Sequence, residues 1–358
     1  MSKWSPEEEH LLRLLIKTNT YSEIAEEFER RHEKNLPGHT RLRSAEAIRK
    51  KCTRDSITED MQYSDPYAAR WEQIKNMQAE YMMEAEHLSF GLVENPTRKI
   101  LSLSDIHFPF ALVNEIDKAL KLHSDADVVV LNGDILDGYI FSTYSKARRI
   151  AALKEYMAAF ELVKRLSEAF PKVVIVRGNH DGRPAKALAK NGFETEASQV
   201  LRPDLLARIA NGEALNESGE LIAKLDFDNV IYQKYDSWYV RIGKTIFAHP
   251  DAYFGSWPGQ TAVKLCDYFT KRMGSNSFDS VVVGHTHRSY KGVVMNKMLI
   301  EQGAMASRMP YQHRADIRFP HAMNGYAVIY QDAEGNTDFN KSHTVFLGSQ
   351  LPPKKEIL

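Results

Sequence analysis

The hydrophobic positions of this chain change period near residue 97. Before it they recur at helical spacing, as Leu11, Leu12, Leu14, Leu15 and Ile16, then Ile24, Ala25 and Phe28, then Ala45, Ile48 and Cys52. Each run follows a start signal. Ser5-Pro6-Glu7-Glu8 combines an N-cap, a proline at the first helical position and a capping-box glutamate; Thr20 with Glu23 repeats the spacing, and Ser44 can cap the third run. The first helix is expected to run to about Lys17, and Pro37-Gly38 to break the chain after the second. A longer amphipathic helix is predicted after Pro66, with Trp71, Ile74, Met77 and Tyr81 in one stripe.

From residue 98 short β-branched runs take over, separated by turn signals. Strands are predicted over 99–104, 127–131 and 173–176 with helices over 115–122 and 152–170 between them, an alternation that marks an α/β fold. A helical stretch is predicted over about 185–225. Strands over 230–232, 238–242, 245–248, 280–283, 298–300, 326–330 and 344–347 then make the second half rich in hairpins. The expected organisation is a tri-helical unit over 1–60, a helical linker over 61–97 and an α/β domain over 98–358.

Composition narrows the class. A chain of 358 residues exceeds one typical domain, and 43% hydrophobic with 26% charged residues fits a soluble globular protein, excluding a fibrous or disordered one. Lys plus Arg (47) equals Asp plus Glu (47), which excludes a uniformly basic nucleic-acid coat and leaves only local patches to consider. No apolar run reaches the length of a membrane span, and the polar, acidic start resembles no signal peptide, so a cytoplasmic location is expected. Cys52 and Cys266 are too far apart in sequence to suggest a disulfide framework or a zinc ribbon.

Four polar clusters follow predicted strand ends, where the carboxyl edge of an α/β sheet presents ligands: Asp105-Ile106-His107, Gly133-Asp134-Ile135-Leu136-Asp137, Gly178-Asn179-His180-Asp181 and Gly284-His285-Thr286-His287. His249, after Phe247-Ala248, is a fifth. Carboxylate, amide and imidazole together suit divalent transition metals better than calcium, which prefers oxygen alone. In Asp-x-His and His-x-His, backbone alternation is expected to point residues i and i+2 to one side, so that each pair converges.

These five blocks, in this order, resemble the calcineurin-like metallophosphoesterase superfamily, whose pattern is Asp-x-His, Gly-Asp-x-x-Asp, Gly-Asn-His-Asp/Glu, a lone His and Gly-His-x-His. The resemblance implies a four-layer αββα sandwich and two divalent metal ions, Mn²⁺ first, with Fe, Zn, Ni or Mg as alternatives. It implies Asp105, His107 and His287 on one metal, Asn179, His249 and His285 on the other, and Asp134 bridging both. Two such ions share a hydroxide and hold phosphoryl oxygens for in-line attack. It further implies that His180 is a catalytic group that stabilises or protonates the leaving oxygen, with Asp137 orienting it. Arg177, just before Gly-Asn-His, reads equally as a phosphate contact and as a strand-end surface charge. The stretch 185–225 and the polar loop 307–321 match no block of the family.

Residues 1–54 resemble a Myb/SANT-like or other tri-helical helix-turn-helix domain, with Trp4 opening the first helix and residues 43–51 as recognition helix. The later tryptophans of such repeats are missing. Acidic residues fall on the first two helices, and Arg41, Arg43, Arg49, Lys50, Lys51 and Arg54 on or beside the third, a segregation that suits a basic helix entering a DNA groove. A solvated charged face or a protein-contact module is the other reading. The combined expectation is a DNA-directed phosphodiesterase, a nuclease using a metal-bridging hydroxide; the alternative is a phosphomonoesterase acting on nucleotides, DNA ends or a phosphoprotein. A catalytically silent scaffold is disfavoured, because it has no need for so many costly polar residues in the pattern.

Overall fold

The computed structural model describes residues 4–34, 42–57, 71, 73, 74, 93, 95–142, 150–190, 201–233, 237–252, 255–309 and 322–349. Two compact units divide the chain, Met1–Leu88 and Ser89–Leu358. Most of the helix predicted after Pro66 and of the expected linker lies outside the described residues, as do Arg41 and most of the loop 307–321.

In the first unit helices form where the start signals stand: α1 (Pro6–Leu15), α2 (Tyr21–Glu33) and α3 (Ala45–Arg54). Both capping boxes close, so that Ser5 with Glu8 and Thr20 with Glu23 satisfy backbone N–H groups that a helix start leaves open. Leu12, Ile16, Ile24, Phe28, Ile48, Cys52 and Ile57 form the core. Glu8 is also a tie between helices. It is buried, and Arg43 donates to its carboxylate from Nη2 at 2.6 Å and Nε at 3.2 Å while lying 4.4 Å from the centre of the Trp4 ring. Lys51 is likewise buried, paired with Glu9 and Asp55. The structure therefore corrects Arg43 and Lys51 from candidate DNA contacts to internal cations, because acidic partners on α1 and at the end of α3 neutralise them within the unit. Arg49, Lys50 and Arg54 remain 59%, 65% and 61% exposed.

The second unit runs β1 (Arg98–Leu103), α4 (Val113–Leu122), β2 (Val128–Asn132), α5 (Ala152–Ala169), β3 (Val173–Val176), α6 (Arg183–Lys190), α7 (Leu205–Ala210), β4 (Glu213–Leu215), β5 (Leu221–Lys224), β6 (Val230–Tyr232), β7 (Tyr239–Ile242), β8 (Thr245–Ala248), α8 (Gln260–Met273), β9 (Ser280–Val283), β10 (Ser289–Val294), β11 (Lys297–Gln302), β12 (Met323–Gln331) and β13 (His343–Ser349). One mixed sheet has the order β13-β12-β1-β2-β3-β6 and the other β10-β11-β9-β8-β7. Within them β1, β2, β3 and β6 are mutually parallel, as are β8, β9 and β11.

Successive strand residues face opposite ways, and here both faces are buried, which is why the strands read as unbroken apolar runs. Ile100, Val128, Val130, Val174 and Val176 meet Phe247, Val282, Met298 and Ile300 of the other sheet. Their neighbours Leu101, Leu103, Val129, Leu131, Val173 and Ile175 face the other way, into a cluster with Ile116 and Leu120 of α4 and Tyr156, Phe160 and Val163 of α5. On the far side Ile246, Val281, Val283 and Leu299 cluster with Leu265, Cys266 and Phe269 of α8. No described helix is long and apolar enough to cross a membrane.

Two hairpins depart from the sequence expectation. Among its described residues the stretch 185–225 is helical in α6, at Leu201 and in α7, and it ends in the β4–β5 hairpin. The side-chain oxygen of Asn216 accepts from the N–H groups of Ser218 and Glu220 while Gly219 takes a φ of 82°, turn chemistry that overrides helical periodicity. Strand β10, absent from the sequence expectation, joins β11 through Met295 and Asn296, both at positive φ, as a tight hairpin requires.

Arg43→Ala should destabilise the helical unit by about 3–5 kcal/mol, since it strands a buried Glu8 carboxylate. Hydrogen exchange of the α1 to α3 amides in the full chain reads this directly: protection falls in Arg43→Ala and is unchanged in Arg49→Ala. Equal protection in both would refute the assignment of Arg43 as an internal cation.

Candidate metal centre

Parallel strands bring their carboxyl ends to one edge of each sheet. From the first sheet β1 leads to Asp105 and His107, β2 to Asp134 and Asp137, and β3 to Asn179 and His180; from the second, β8 leads to His249 and β9 to His285 and His287. The pairs converge for a reason other than strand alternation. Asp105, His107, Asp134, His285 and His287 have φ of 52°, 49°, 52°, 75° and 51°, a left-handed backbone that side chains with a Cβ rarely adopt and that curls each pair inward. Two glycines permit the approach. A Cβ on Gly133 would overlap the His249 ring, and one on Gly178 the Asp134 carboxylate.

Buried carboxylates hold these turns. Asp181 accepts from the backbone N–H groups of Asp134, Leu136 and Gly178 at 2.8, 2.9 and 2.8 Å. Glu155, reaching in from α5, accepts from Gly138 at 2.7 Å and Tyr139 at 3.0 Å. Burial pushes both carboxyls up to about 7, for Asp181 with the help of the Asp134 charge. Neither role follows from the sequence. Asp181 closes the Gly-Asn-His-Asp block, whereas Glu155 lies in the first turn of α5 with no sequence signal that distinguishes it from a surface charge.

The donor atoms gather in overlapping groups, each within 4.8 Å: Asp105, His107 and His287; Asp134, His249 and His285; and His107, Asp134 and His180. Asn179 joins the second, its Oδ1 2.8 Å from His285 Nδ1 and 3.3 Å from His249 Nε2. Asp134 is shared by the second and third groups, and His107 by the first and third. Asp134 Oδ2 stands 3.7 Å from His107 Nε2 and 3.2 Å from His249 Nε2. His249 donates from Nδ1 to the Asn132 carbonyl at 2.8 Å, which turns Nε2 to the site. His107 Nε2 and His287 Nε2 face each other at 3.2 Å, with Asp105 Oδ1 3.1 Å from the latter. Two imidazole nitrogens aimed at one another beside buried carboxylates form a donor set that fits a cation, and the overlap of groups at Asp134 fits a pair of them.

The other expected residues are also placed. His180 lies with Nδ1 3.1 Å from Asp137 Oδ1, and Asp137 Oδ1 is in turn 3.3 Å from His107 Nδ1. Arg177 lines a cavity of about 310 Å³ together with Gly182, Lys186 and Asp251. Arg183, which no sequence motif singles out, sits against both His180 and Asp137.

Burial opposes charge throughout the centre, and neighbours decide the net direction. At Asp105 it is outweighed by His287 and His249, and at Asp134 by His249 and His180, so both carboxyls are held well below the ordinary range. Burial works against a charged His107, yet hydrogen bonds to Asp105 and Asp137 push it up to about 10; His249, buried beside Asp134 and Asp105, is pushed up to about 9. His285 goes the other way, to about 4, through burial and the neighbouring His249.

In metal-free protein at neutral pH, His107 and His249 thus hold protons that an incoming cation must displace. Their raised values fix the sign: affinity should climb with pH, and stop climbing above about 9 to 10. Calorimetric titration with Mn²⁺ in buffers of different ionisation enthalpy should record net proton release, and affinity should rise roughly tenfold per pH unit for each proton displaced. Affinity independent of pH, with no protons released, would contradict this electrostatic assignment.

Comparison with known proteins agrees with the geometry. The calcineurin-like phosphoesterase family matches residues 98–289. Similar solved structures include an archaeal phosphodiesterase at 14% identity, covering 70% of this chain and 99% of that one with a TM-score of 0.33. A hypothetical protein from Pyrococcus horikoshii is 12% identical over 72% of this chain and 90% of its own, with a TM-score of 0.39. Vps29 from Chaetomium thermophilum is 12% identical over 72% of this chain and 100% of its own, with a TM-score of 0.32. A search of curated proteins gave no match. The family match spans more than half of the chain, and it contains all five polar blocks: this protein belongs to the calcineurin-like phosphoesterases.

Proposed function

We propose that this protein is a dimetal phosphodiesterase that acts on DNA, with α1 to α3 holding the substrate. What supports the dimetal reading is Asp134 Oδ2, a single carboxylate oxygen that faces imidazoles of both donor groups. Asp105, His107 and His287 would hold one ion, Asn179, His249 and His285 the other, and Asp134 both. When bound, the ions polarise phosphoryl oxygens and lower the pKa of water. The chain itself supplies orientation: Asp181 fixes the backbone around Asp134, and Asp137 aligns His180, whose side chain is 12% exposed at the rim.

What supports DNA as substrate is the outer face of α3. Arg49, Lys50 and Arg54 are more than half exposed on it, and Glu46 pairs with Arg49 and Lys50 at the surface, where such pairs exchange readily for phosphate.

Asp134→Asn should be the most damaging ligand change, lowering bound metal and turnover together; full metal content with normal turnover in that variant would remove the shared-ligand assignment. Reversing charge at Arg49, Lys50 and Arg54 should weaken DNA binding and reduce the slope of log affinity against log salt by about 0.9 for each phosphate no longer neutralised. Hydrolysis of bis(para-nitrophenyl) phosphate should survive that change. Equal DNA affinity across a salt series would sink DNA as substrate, and faster turnover of para-nitrophenyl phosphate than of its bis-ester would move the assignment to a phosphomonoesterase.

A further inference from the structure

Arg177 precedes the Gly-Asn-His-Asp block, and none of the roles described above uses it. It is partly buried just beyond the end of β3, where its backbone N–H donates to the Ser237 carbonyl at 2.7 Å. Val174 and Val176 face the second sheet and Val173 and Ile175 the helices, and Arg177 continues the helix-side series. There it lines the cavity of about 310 Å³ with Gly182, Ala185, Lys186, Ala189 and Asp251. Other sheltered arginines of this unit have acceptors: Arg183 reaches Asp137, Arg208 reaches Glu213, and the buried Arg288 reaches the Gly255 carbonyl. Among the described residues, the Arg177 guanidinium has no acceptor within hydrogen-bond or ion-pair distance. Withdrawing a cation from water without a partner is costly. Lys186 Nζ lies 2.9 Å from Asp251 Oδ2, so these two charges cancel and Arg177 is left as the net positive charge of the cavity wall. Gly182, Ala185 and Ala189 put nothing longer than a methyl group on that wall. The cavity also adjoins the metal centre. Arg177 stands two residues before Asn179, and Asp251 two after His249. Two residues of chain span at most about 7 Å, a distance that one nucleotide unit bridges.

We propose that this cavity is a subsite for one nucleotide unit of the substrate. The phosphate next to the one being hydrolysed bonds to the Arg177 guanidinium, and the deoxyribose between them lies against Gly182, Ala185 and Ala189. The proposal rests on phosphodiester hydrolysis at the metal centre, and not on DNA binding by α3. A guanidinium holds a phosphate through two parallel N–H···O bonds, which fix its position as well as neutralise its charge. Arg177 keeps its N–H groups for that purpose, since no neighbour among the described residues takes them. Lys186 matters indirectly: by pairing with Asp251 it spares the incoming phosphate a repulsive carboxylate. Anchoring the neighbouring phosphate orients the scissile one without a contact to the reacting oxygens, so the subsite selects nucleotide esters over simple ones.

The test uses the full chain loaded with Mn²⁺ and the para-nitrophenyl esters of thymidine 5′-phosphate and thymidine 3′-phosphate, each with and without a second phosphate on the other hydroxyl. The readout is the ratio of kcat/KM with the second phosphate to kcat/KM without it, in which damage common to both substrates cancels. In the unaltered protein one of the two pairs should give a ratio of about ten to a hundred, carried mainly by KM. Arg177→Gln should bring that ratio close to one, and Arg177→Lys should keep part of it, as a point charge without the fork. Asp251→Asn should raise it roughly twofold to fivefold by removing a repulsive charge. Ala185→Met, which fills the cavity without changing its charge, should lower it. Calorimetric titration with thymidine 3′,5′-bisphosphate should rank the same variants in the same order, a readout free of catalysis. A ratio near one in both pairs for the unaltered protein, or a ratio that Arg177→Gln leaves intact, would overturn the subsite while the phosphodiesterase reading stands. Hydrolysis of none of the esters by the unaltered protein would instead remove that reading, and this proposal with it.

Discussion

The centre depends on backbone N–H groups gripped by buried carboxylates. A left-handed residue with a Cβ costs of order 1–3 kcal/mol, and strained turns persist only where their surroundings over-determine them. Asp181 answers this by bonding three amides at once, two on the loop after β2 and one on the loop after β3. Asp105 works in a similar way across the sheets, accepting from the His285 amide with both oxygens at 3.1 and 2.9 Å. Loops from separate strands are thereby locked to one another before any ligand arrives.

The same economy appears in the side chains. Asp134 and Asp137 stand three positions apart and divide the imidazoles between them: Asp134 faces the Nε2 atoms of His107 and His249, while Asp137 faces the Nδ1 atoms of His107 and His180. His107 thus faces a carboxylate at each nitrogen. A carboxylate behind a ligand imidazole fixes its ring and raises its basicity. This gives the second aspartate of the Gly-Asp-x-x-Asp block a physical task that its spacing alone does not reveal.

Much of this was legible in the sequence. The helix caps at Ser5 and Thr20, the parallel strands and all five polar blocks were set by local patterns, and local patterns are what sequence displays. The failures share a cause. The β4–β5 hairpin depends on one asparagine side chain folding back on its own backbone, and the burial of Arg43 and Lys51 depends on which acids α1 brings to them; both are decided by three-dimensional neighbours. Charge segregation along the sequence correctly separated acidic from basic helices, but it gave no sign that two of the cations would meet their acids inside the unit. Glu155 and Arg183 were invisible for the same reason, since their partners on the loop around Asp137 lie 16 and 46 residues away.

The donors come from both sheets, and the closest imidazole pair across them, His107 and His287, is separated by 180 residues of chain. Cations bound there would act as rivets between the two halves of the sandwich. Folding and metal uptake would then share one equilibrium, so that the free-metal concentration sets how firmly the sheets stay joined. A metal-dependent centre on this seam would make the supply of metal a determinant of how long the folded chain survives, as well as of how fast it works.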